Sequence, residues 1–490
     1  MIRPASVTQL GVAAVWLALV AGVGVAWAGV PLPFPLKPSS EPDAPVVKPP
    51  APAVLPSKEA SLGRRLTTAL PRSLLISPDS RRAAYVAERN DRRFVMVNGV
   101  EGQAYEGIGE GTVRFSPDSG RITYWARRGD KRFVVIDSEE GKDFDMIADG
   151  TPFFSADSQH VAFVAARGPK WLAVVDGAQG KEYDAIAQGS LALSADGKRA
   201  AYWASRDAKW VVVADGVEGP EYAGHGGGTP VFSPDGKRLA YAAQRGEKWV
   251  VVVNGAEGKE FDAAMPRSLV FSPDGSRLAY GAWRGAKVMI VLDGAEGKPY
   301  DGVATPVFSP DGKRLAYPAE RGEKRLVVVD GADGKEYDGV VPGSVVFSPD
   351  SRRIAYVIQR GEQGLVVVDD VEGKVYDAIG KEPLVFSPDS NHLAYAVGRG
   401  EGGERGQTVI DGVEGTFYDS LGGLAFSPDS KRLAFWASLN NRRFVVVGNA
   451  HGKEYDVFPG GSRLIFDSPT TLHTLAFRAQ EFFLVEIEAP

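Results

Sequence analysis

The sequence contains no cysteine. Disulfides, thiolate nucleophiles, cysteine-ligated zinc and lipidation on cysteine are therefore excluded together. Histidine is scarce: His160, His225, His392, His451 and His473 are all there are, at unrelated positions and with no H-E-x-x-H or other paired spacing, so they read as surface or loop residues and no metal site is expected. No G-x-S-x-G elbow occurs, which closes the α/β-hydrolase route to catalysis. No D-x-[DN]-x-[DN]-G loop offers calcium its converging oxygens. A basic excess is missing too: 56 Lys and Arg stand against 62 Asp and Glu, a formal charge of -6. Nothing here supplies the clustered positive surface that phosphate neutralisation requires, so nucleic acid is not expected as a partner. No cofactor is expected either.

What is present is organised by a repeat. Val231 to Ala264 reads VFSPDGKRLAYAAQRGEKWVVVVNGAEGKEFDAA, and nearly everything after residue 60 is a variation on it. The corner aspartate returns at Asp79, Asp118, Asp157, Asp196, Asp235, Asp274, Asp311, Asp350, Asp389 and Asp429, spaced by 39 residues except for one interval of 37 and one of 40. A decayed eleventh copy covers Leu464 to Phe477. Fixed self-similarity of this length signals a repeat architecture.

Each unit reads as four short antiparallel strands. Val231-Phe232 is stopped by Ser-Pro-Asp-Gly, where proline sets one turn angle and glycine takes the left-handed position. Leu239 to Tyr241 restarts the apolar pattern, Arg245-Gly246-Glu247 breaks it, and Trp249 to Val253 is a β-branched run of a buried strand. Asn254-Gly255 is a hairpin signal, as are the pairs at 176, 215, 293, 330 and 411. The last piece, Lys259 to Asp262, is polar, as suits an edge. Recurrent aromatics, among them Tyr202, Tyr241 and Tyr317 in the second strand and Phe144, Tyr183, Tyr337 and Tyr455 in the fourth, are the side chains that fill the gap between sheets about 10 Å apart. Four-stranded sheets repeated radially make a β-propeller.

The corner carries a resemblance as well. FSPDGKRLAY, intact at Phe232 to Tyr241 and Phe308 to Tyr317, resembles the WD40-like propeller repeat of TolB-type proteins, over roughly residues 72 to 488. The resemblance implies the fold and says little about function, because such blades serve many roles. The N-terminal α/β domain of TolB has no counterpart between Pro56 and Leu74, and no hydrolase domain follows as in peptidases with an N-terminal propeller.

The expected fold is all-β, about eleven four-stranded blades. One large ring is favoured. The alternative is two tandem propellers split near 304/305, where the 37-residue interval falls. The eleventh unit shows three strands, and Arg65 to Leu70 (RLTTAL) is expected to donate the fourth and close the ring. Ahead of the repeats, residues 1 to 28 carry Arg3, an apolar stretch from Leu10 to Ala28 and an Ala-Trp-Ala site, read as a signal peptide or N-terminal membrane anchor. Residues 29 to 60 hold ten prolines between Pro31 and Pro56 and read as a disordered spacer. Residues 61 to 490 form the propeller region. The expected location is outside the cytoplasm, periplasmic or extracellular.

Candidate sites are few. The corner aspartates read as turn-forming, through hydrogen bonds to their own backbone. Arg167, Arg245, Arg284, Arg321, Arg360 and Arg399 share one turn and would ring one face, where they could read an anionic partner or polysaccharide. His225, in GHGGG, is placed in a loop joining two blades. The expected function is a non-enzymatic protein-interaction scaffold in the cell envelope, whose partner is another envelope or extracellular protein. The alternatives are a glycan- or peptide-binding sensory module, or a hydrolase or lyase with a site on a propeller face. Specificity is expected where the copies differ, as at Ala223 to Thr229 and Ala263 to Ser268.

Overall fold

The architecture comes from a computed structural model that describes residues 53–380, 384–400 and 405–489. The expectations for residues 1 to 28 and for most of 29 to 60 lie outside them. Every regular element among the described residues is a strand, and the strands form eleven antiparallel sheets. We number the blades in chain order: 1 (68–105), 2 (107–144), 3 (146–183), 4 (185–222), 5 (224–261), 6 (263–300), 7 (302–337), 8 (339–376), 9 (378–418), 10 (420–455) and 11 (457–488).

Blade 5 shows the plan. The second strand, Leu239–Arg245, pairs with the third, Lys248–Val253, across a tight turn, and the third pairs with the outer strand, Ala256–Phe261. The inner strand comes in two pieces, Gly224–His225 and Val231–Phe232, which pair with opposite ends of the second strand. Between the two pieces the chain bulges away from the sheet. This split inner strand is the main departure from the sequence reading: Gly224–His225 and Ala263–Ala264 are half-strands, not connecting loops.

Alternation along the second strand builds the seams. Leu239, Tyr241 and Ala243 point toward blade 4 and pack with Trp203, Val212 and Tyr222. Ala240 faces blade 6, where it meets Phe271, Leu278 and Tyr280. Each consecutive pair of blades shares one such cluster. The last cluster joins Leu475 and Phe482 of blade 11 to Tyr85, Phe94 and Met96 of blade 1. The chain is therefore one closed ring of eleven blades, and the short interval before Asp311 leaves blades 6 and 7 packed like any other pair. Fully burying a large apolar side chain contributes about 1.5–3 kcal/mol, so the seams carry most of the stability. Aromatics meet edge-on across them: Tyr183 and Tyr202 at 6.2 Å, Phe261 and Tyr280 at 6.2 Å, Tyr300 and Tyr317 at 6.3 Å.

Ring closure uses a different segment from the expected one. Ser57–Arg64 forms the outer strand of blade 11, antiparallel to Glu481–Glu488. Residues 68 to 70 instead serve blade 1 as the first half of its inner strand: Leu70 N–H donates to Val86 O (2.8 Å) and Glu88 N–H to Thr68 O (3.1 Å). The reason lies in Glu59. It occupies the register of the outer-strand carboxylate that other blades carry, and only the 57–64 pairing brings it there. The folded ring thus begins inside the stretch expected to be spacer.

Candidate functional site

The corner aspartate is a turn residue in every intact copy. Ser233 Oγ donates to Asp235 Oδ1 (2.6 Å), and the same oxygen accepts from Lys237 N–H (3.1 Å). These bonds hold the Asp235 carboxyl below its ordinary value, the Ser233 hydroxyl first among the causes. At Asp274, where Ser276 adds a hydroxyl to the Ser272 bond, it is pushed down to about 2. The serine is fully buried, and the exposed aspartate is engaged in holding its own turn.

The corner also links blades. Where its fourth residue is serine, at positive φ (65° at Ser119, 66° at Ser351), the hydroxyl accepts from a backbone N–H of the previous blade: the aspartate's in Asp79 to Ser119 at 3.0 Å and Asp311 to Ser351 at 3.0 Å, and that of Arg463 in the bond to Ser80. The following arginine reaches forward. Arg238 lies 5.0 Å from the centroid of the Phe271 ring of blade 6, and its Nη1 donates to Gly275 O and Ser276 O. Arg277, Arg314 and Arg353 add an ion pair from Nε to their own hairpin aspartates, Asp293, Asp330 and Asp369, each at 3.0 Å.

The six arginines of the second turn do share one end of their blades. Each pairs with the outer strand of its own blade: Arg245 with Glu257 (2.7 Å), Arg284 with Glu296 (2.9 Å), Arg321 with Asp333, Arg360 with Glu372 (2.7 Å) and Arg399 with Glu414 (3.0 Å). Arg167 bonds Gln179 (3.1 Å) and lies 3.7 Å from Glu182. Their side chains stay 49–62 % exposed. The same carboxylate ties in the previous blade. Asp333 receives the Tyr300 hydroxyl (2.6 Å) and Lys298 (3.0 Å), and Glu372 receives Lys335. Lys335 and Arg360 together push Glu372 down to about 2.

Sequence reasoning missed one further link. The aspartate of KEYD caps the next blade's turn: Asp262 takes Gly285 N–H (2.5 Å) and Lys248 of its own blade (2.5 Å), and Asp338 takes Gly361 N–H (2.9 Å). The signal that finds it is recurrence at fixed offsets, Lys to Asp at 14 and Asp to Gly at 23.

The histidines occupy special registers. His225 lies edge-on to Trp210 (4.4 Å between centroids) and near Trp203 (6.2 Å) at the seam of blades 4 and 5, and burial pushes its pKa down. His160 and His392 stand where other corners have arginine and reach the hairpin aspartates, Asp176 and Asp411, at 2.6 Å. His473 bridges Asp467 and the Asp79 carbonyl, both at 2.7 Å, across the closing seam. The five are not brought together. Among the described residues no three His, Asp or Glu side chains are grouped to hold a metal ion.

A cleft of about 290 Å³ opens between blades 1 and 2, lined by Glu88, Arg93, Glu106, Trp125 and Arg127 among others. Its charges are paired, Arg93 with Glu88 at 3.0 Å and Arg127 with Glu106 at 3.9 Å. A more regular surface feature is aromatic: Trp171, Trp210 and Trp249 occupy one register in three consecutive blades, each half-buried and opposite the outer-strand aromatic.

No protein-family model matches the chain, and no curated protein matches it in sequence. Solved structures do. A eukaryotic initiation factor is 13 % identical with a TM-score of 0.38, covering 69 % of this chain and 96 % of its own. TolB from Acinetobacter baumannii is 17 % identical with a TM-score of 0.24, covering 53 % and 77 %. The Dos1 propeller is 9 % identical with a TM-score of 0.30, covering 61 % and 92 %.

Proposed function

We propose that the chain is a non-enzymatic interaction scaffold that works outside the cytoplasm, in the cell envelope or beyond it, and presents one face of a rigid ring to another protein. One observation supports this above the rest: the polar side chains that recur in the repeat are engaged in turns and blade-to-blade links, which leaves recognition to the positions where copies differ. The face carrying Arg167, Arg245, Arg284, Arg321, Arg360 and Arg399 is the better candidate. Each guanidinium is half exposed, so a partner carboxylate can exchange with the outer-strand carboxylate at little cost, exposed ion pairs being worth about 0–1 kcal/mol. The test is capture by the full chain from envelope extracts, followed by reconstitution with the purified partner. Stoichiometric binding that weakens at least fivefold in an Arg245→Ala/Arg284→Ala/Arg321→Ala variant is expected. No stoichiometric partner, or one indifferent to all face substitutions, rejects the reading.

A second reading, a glycan-binding module, draws on Trp171, Trp210 and Trp249 beside His225, since half-buried indole rings spaced one blade apart suit an extended saccharide. Binding to a glycan array that disappears in Trp210→Ala favours it over the scaffold.

A further inference from the structure

Blade 10 departs from the pattern at its outer edge. The register that holds a carboxylate in the neighbouring rings of contacts, Glu372 in blade 8, Glu414 in blade 9 and Glu59 in blade 11, holds His451. The turn arginine that would pair with it is replaced by Leu439, the last residue of the second strand. His451 lies flat on Phe444 (4.4 Å between centroids, 22° between planes), and its Nε2 meets the Tyr418 hydroxyl of blade 9 at 3.1 Å. Where the seams on either side have a carboxylate, this one has an imidazole.

The same residue holds the chain's entry into the ring. Before the closing strand, Ala53 to Leu55 runs parallel to the outer edge of blade 10: Leu55 N–H donates to His451 O (2.8 Å) and His451 N–H donates to Ala53 O (2.9 Å). Leu55 drops into the cluster shared by blades 10 and 11 and is 2 % exposed, while Val54 points out. His451 therefore touches three elements at once: the strap through its backbone, blade 9 through its ring edge and blade 10 through its ring face.

We propose that Ala53 to Leu55 is a pH-sensitive strap, docked while His451 is neutral and released from the edge of blade 10 when the imidazole takes up a proton. The groups around it explain why a charge is not tolerated. Blade 9 presents the Tyr418 phenol, blade 10 the Phe444 ring, and the strap Ala53, Val54 and Leu55, none of which titrates in the acid range. Charged side chains of the same blade are committed elsewhere: Arg442 to Glu454 (2.9 Å), Lys453 to Glu59 (3.7 Å), and Arg443 to the Asp456 carbonyl. Among the described residues an imidazolium formed here finds no carboxylate, and turning the ring away from Phe444 and Tyr418 toward water moves the His451 backbone to which the strap is bonded. Burial lowers the His451 pKa, in keeping with this geometry. A histidine depressed in the folded state contributes stability that is present above its unfolded pKa of about 6.5 and is lost as pH falls below it. Glu59, held below its ordinary value, keeps its charge through the same interval, so the closing strand itself stays docked.

Hydrogen exchange read by mass spectrometry on the full chain tests this at pH 7.5 and pH 5.5, with exchange times scaled for intrinsic chemistry. Neutral histidine in the docked state and a group of pKa about 6.5 in the released state give about a tenfold loss of protection at Leu55 and His451 one pH unit below that value. Protection across Ser57 to Arg64 is expected to hold. His451→Gln and His451→Phe cannot gain the charge, the first keeping an acceptor for Tyr418 and the second keeping the stack; in both, the pH dependence is expected to vanish. His225→Gln, at a distant seam, is expected to behave as the wild type. A wild-type strap equally protected at both pH values overturns the proposal. So does a pH-dependent loss that persists in both His451 variants.

Discussion

Replacing Glu59 by glutamine tests whether one side chain closes the ring. Its carboxylate is 15 % exposed and accepts from the Tyr455 hydroxyl at 2.6 Å and from Arg478 at 3.1 and 2.9 Å, with Lys453 at 3.7 Å. Burial alone would push its carboxyl up. The Tyr455 hydroxyl and the Arg478 guanidinium outweigh burial and hold it below the usual range. Breaking a fully buried pair costs about 3–5 kcal/mol, and an exposed pair about 0–1. Arg478 is 38 % exposed, and glutamine keeps one acceptor for Tyr455, so the loss falls between, at about 2 kcal/mol. Because Ser57–Arg64 ends the sheet and pairs on one side alone, that loss appears as local opening. At 1.4 kcal/mol per factor of ten, exchange of the strand's amides rises about 30-fold. Glu372→Gln removes the equivalent carboxylate at an internal seam and leaves exchange at 57–64 unchanged. A rise below threefold in the Glu59→Gln protein, or an equal rise in Glu372→Gln, would refute the assignment of closure to this residue.

Three further outcomes follow from the same geometry. A Cβ on Gly109 would stand 2.2 Å from the Trp125 ring, so Gly109→Ala costs about 1–3 kcal/mol by overpacking; adding Trp125→Val, the pairing blade 3 has in Ala148 and Val164, recovers most of it in urea denaturation. Asn254 bonds Leu239 N–H at 2.8 Å as the hairpin aspartates do for their own blades but offers Arg238 no second oxygen; Asn254→Asp raises stability by up to about 1 kcal/mol, less in high salt. Acid unfolding is expected to steepen below pH 4. Asp235, Asp274 and Glu372 are depressed in the folded ring, so each contributes stability above its unfolded value of about 4 that disappears as pH falls toward its folded one, about 2 for the latter two. A circular-dichroism transition centred above pH 5 contradicts this.

The blade plan was readable because its chemistry is local. Ser233 to Gly236 makes a turn wherever it occurs, and Trp249 to Val253 is a strand by composition, which the structure extends by one residue to Lys248. The inner strand was not readable as a split element. Gly224–His225 and Ala263–Ala264 are two residues long and become strands only by pairing with Gln244–Ala243 and Trp283–Ala282, contacts set by the fold of the blade. Closure was misassigned for a related reason. RLTTAL looks more strand-like than SKEASLGR, yet the deciding feature is Glu59, whose partners Arg478 and Tyr455 lie about 400 residues away. The pairing of the turn arginines with the outer strand depends on the register of a four-stranded sheet. Only a 12-residue offset between Arg245 and Glu257, repeated at Arg284 and Glu296, hinted at it.

The count of eleven has a physical origin in the small side of each seam. Ala201, Ala240, Ala279, Ala316, Ala355 and Ala394 face the following blade, and none is exposed. Opposite them stand Tyr241, Tyr280, Tyr317, Tyr356, Tyr395 and Phe435. A large residue meeting a small one keeps neighbouring sheets close all along their height, so the wedge between them is shallow. Eleven equal wedges are about 33° each, against about 51° for seven blades. Sheets about 10 Å apart at the inner edge then close on a circle of roughly 110 Å circumference, about 35 Å across before the bulges of the inner strands intrude. An opening of that size is too wide for side chains to fill, so the seams alone must hold the ring. That requirement accounts for the tyrosine, arginine, serine and aspartate links repeated from blade to blade, and for the supply of the eleventh blade's outer strand from the other end of the chain.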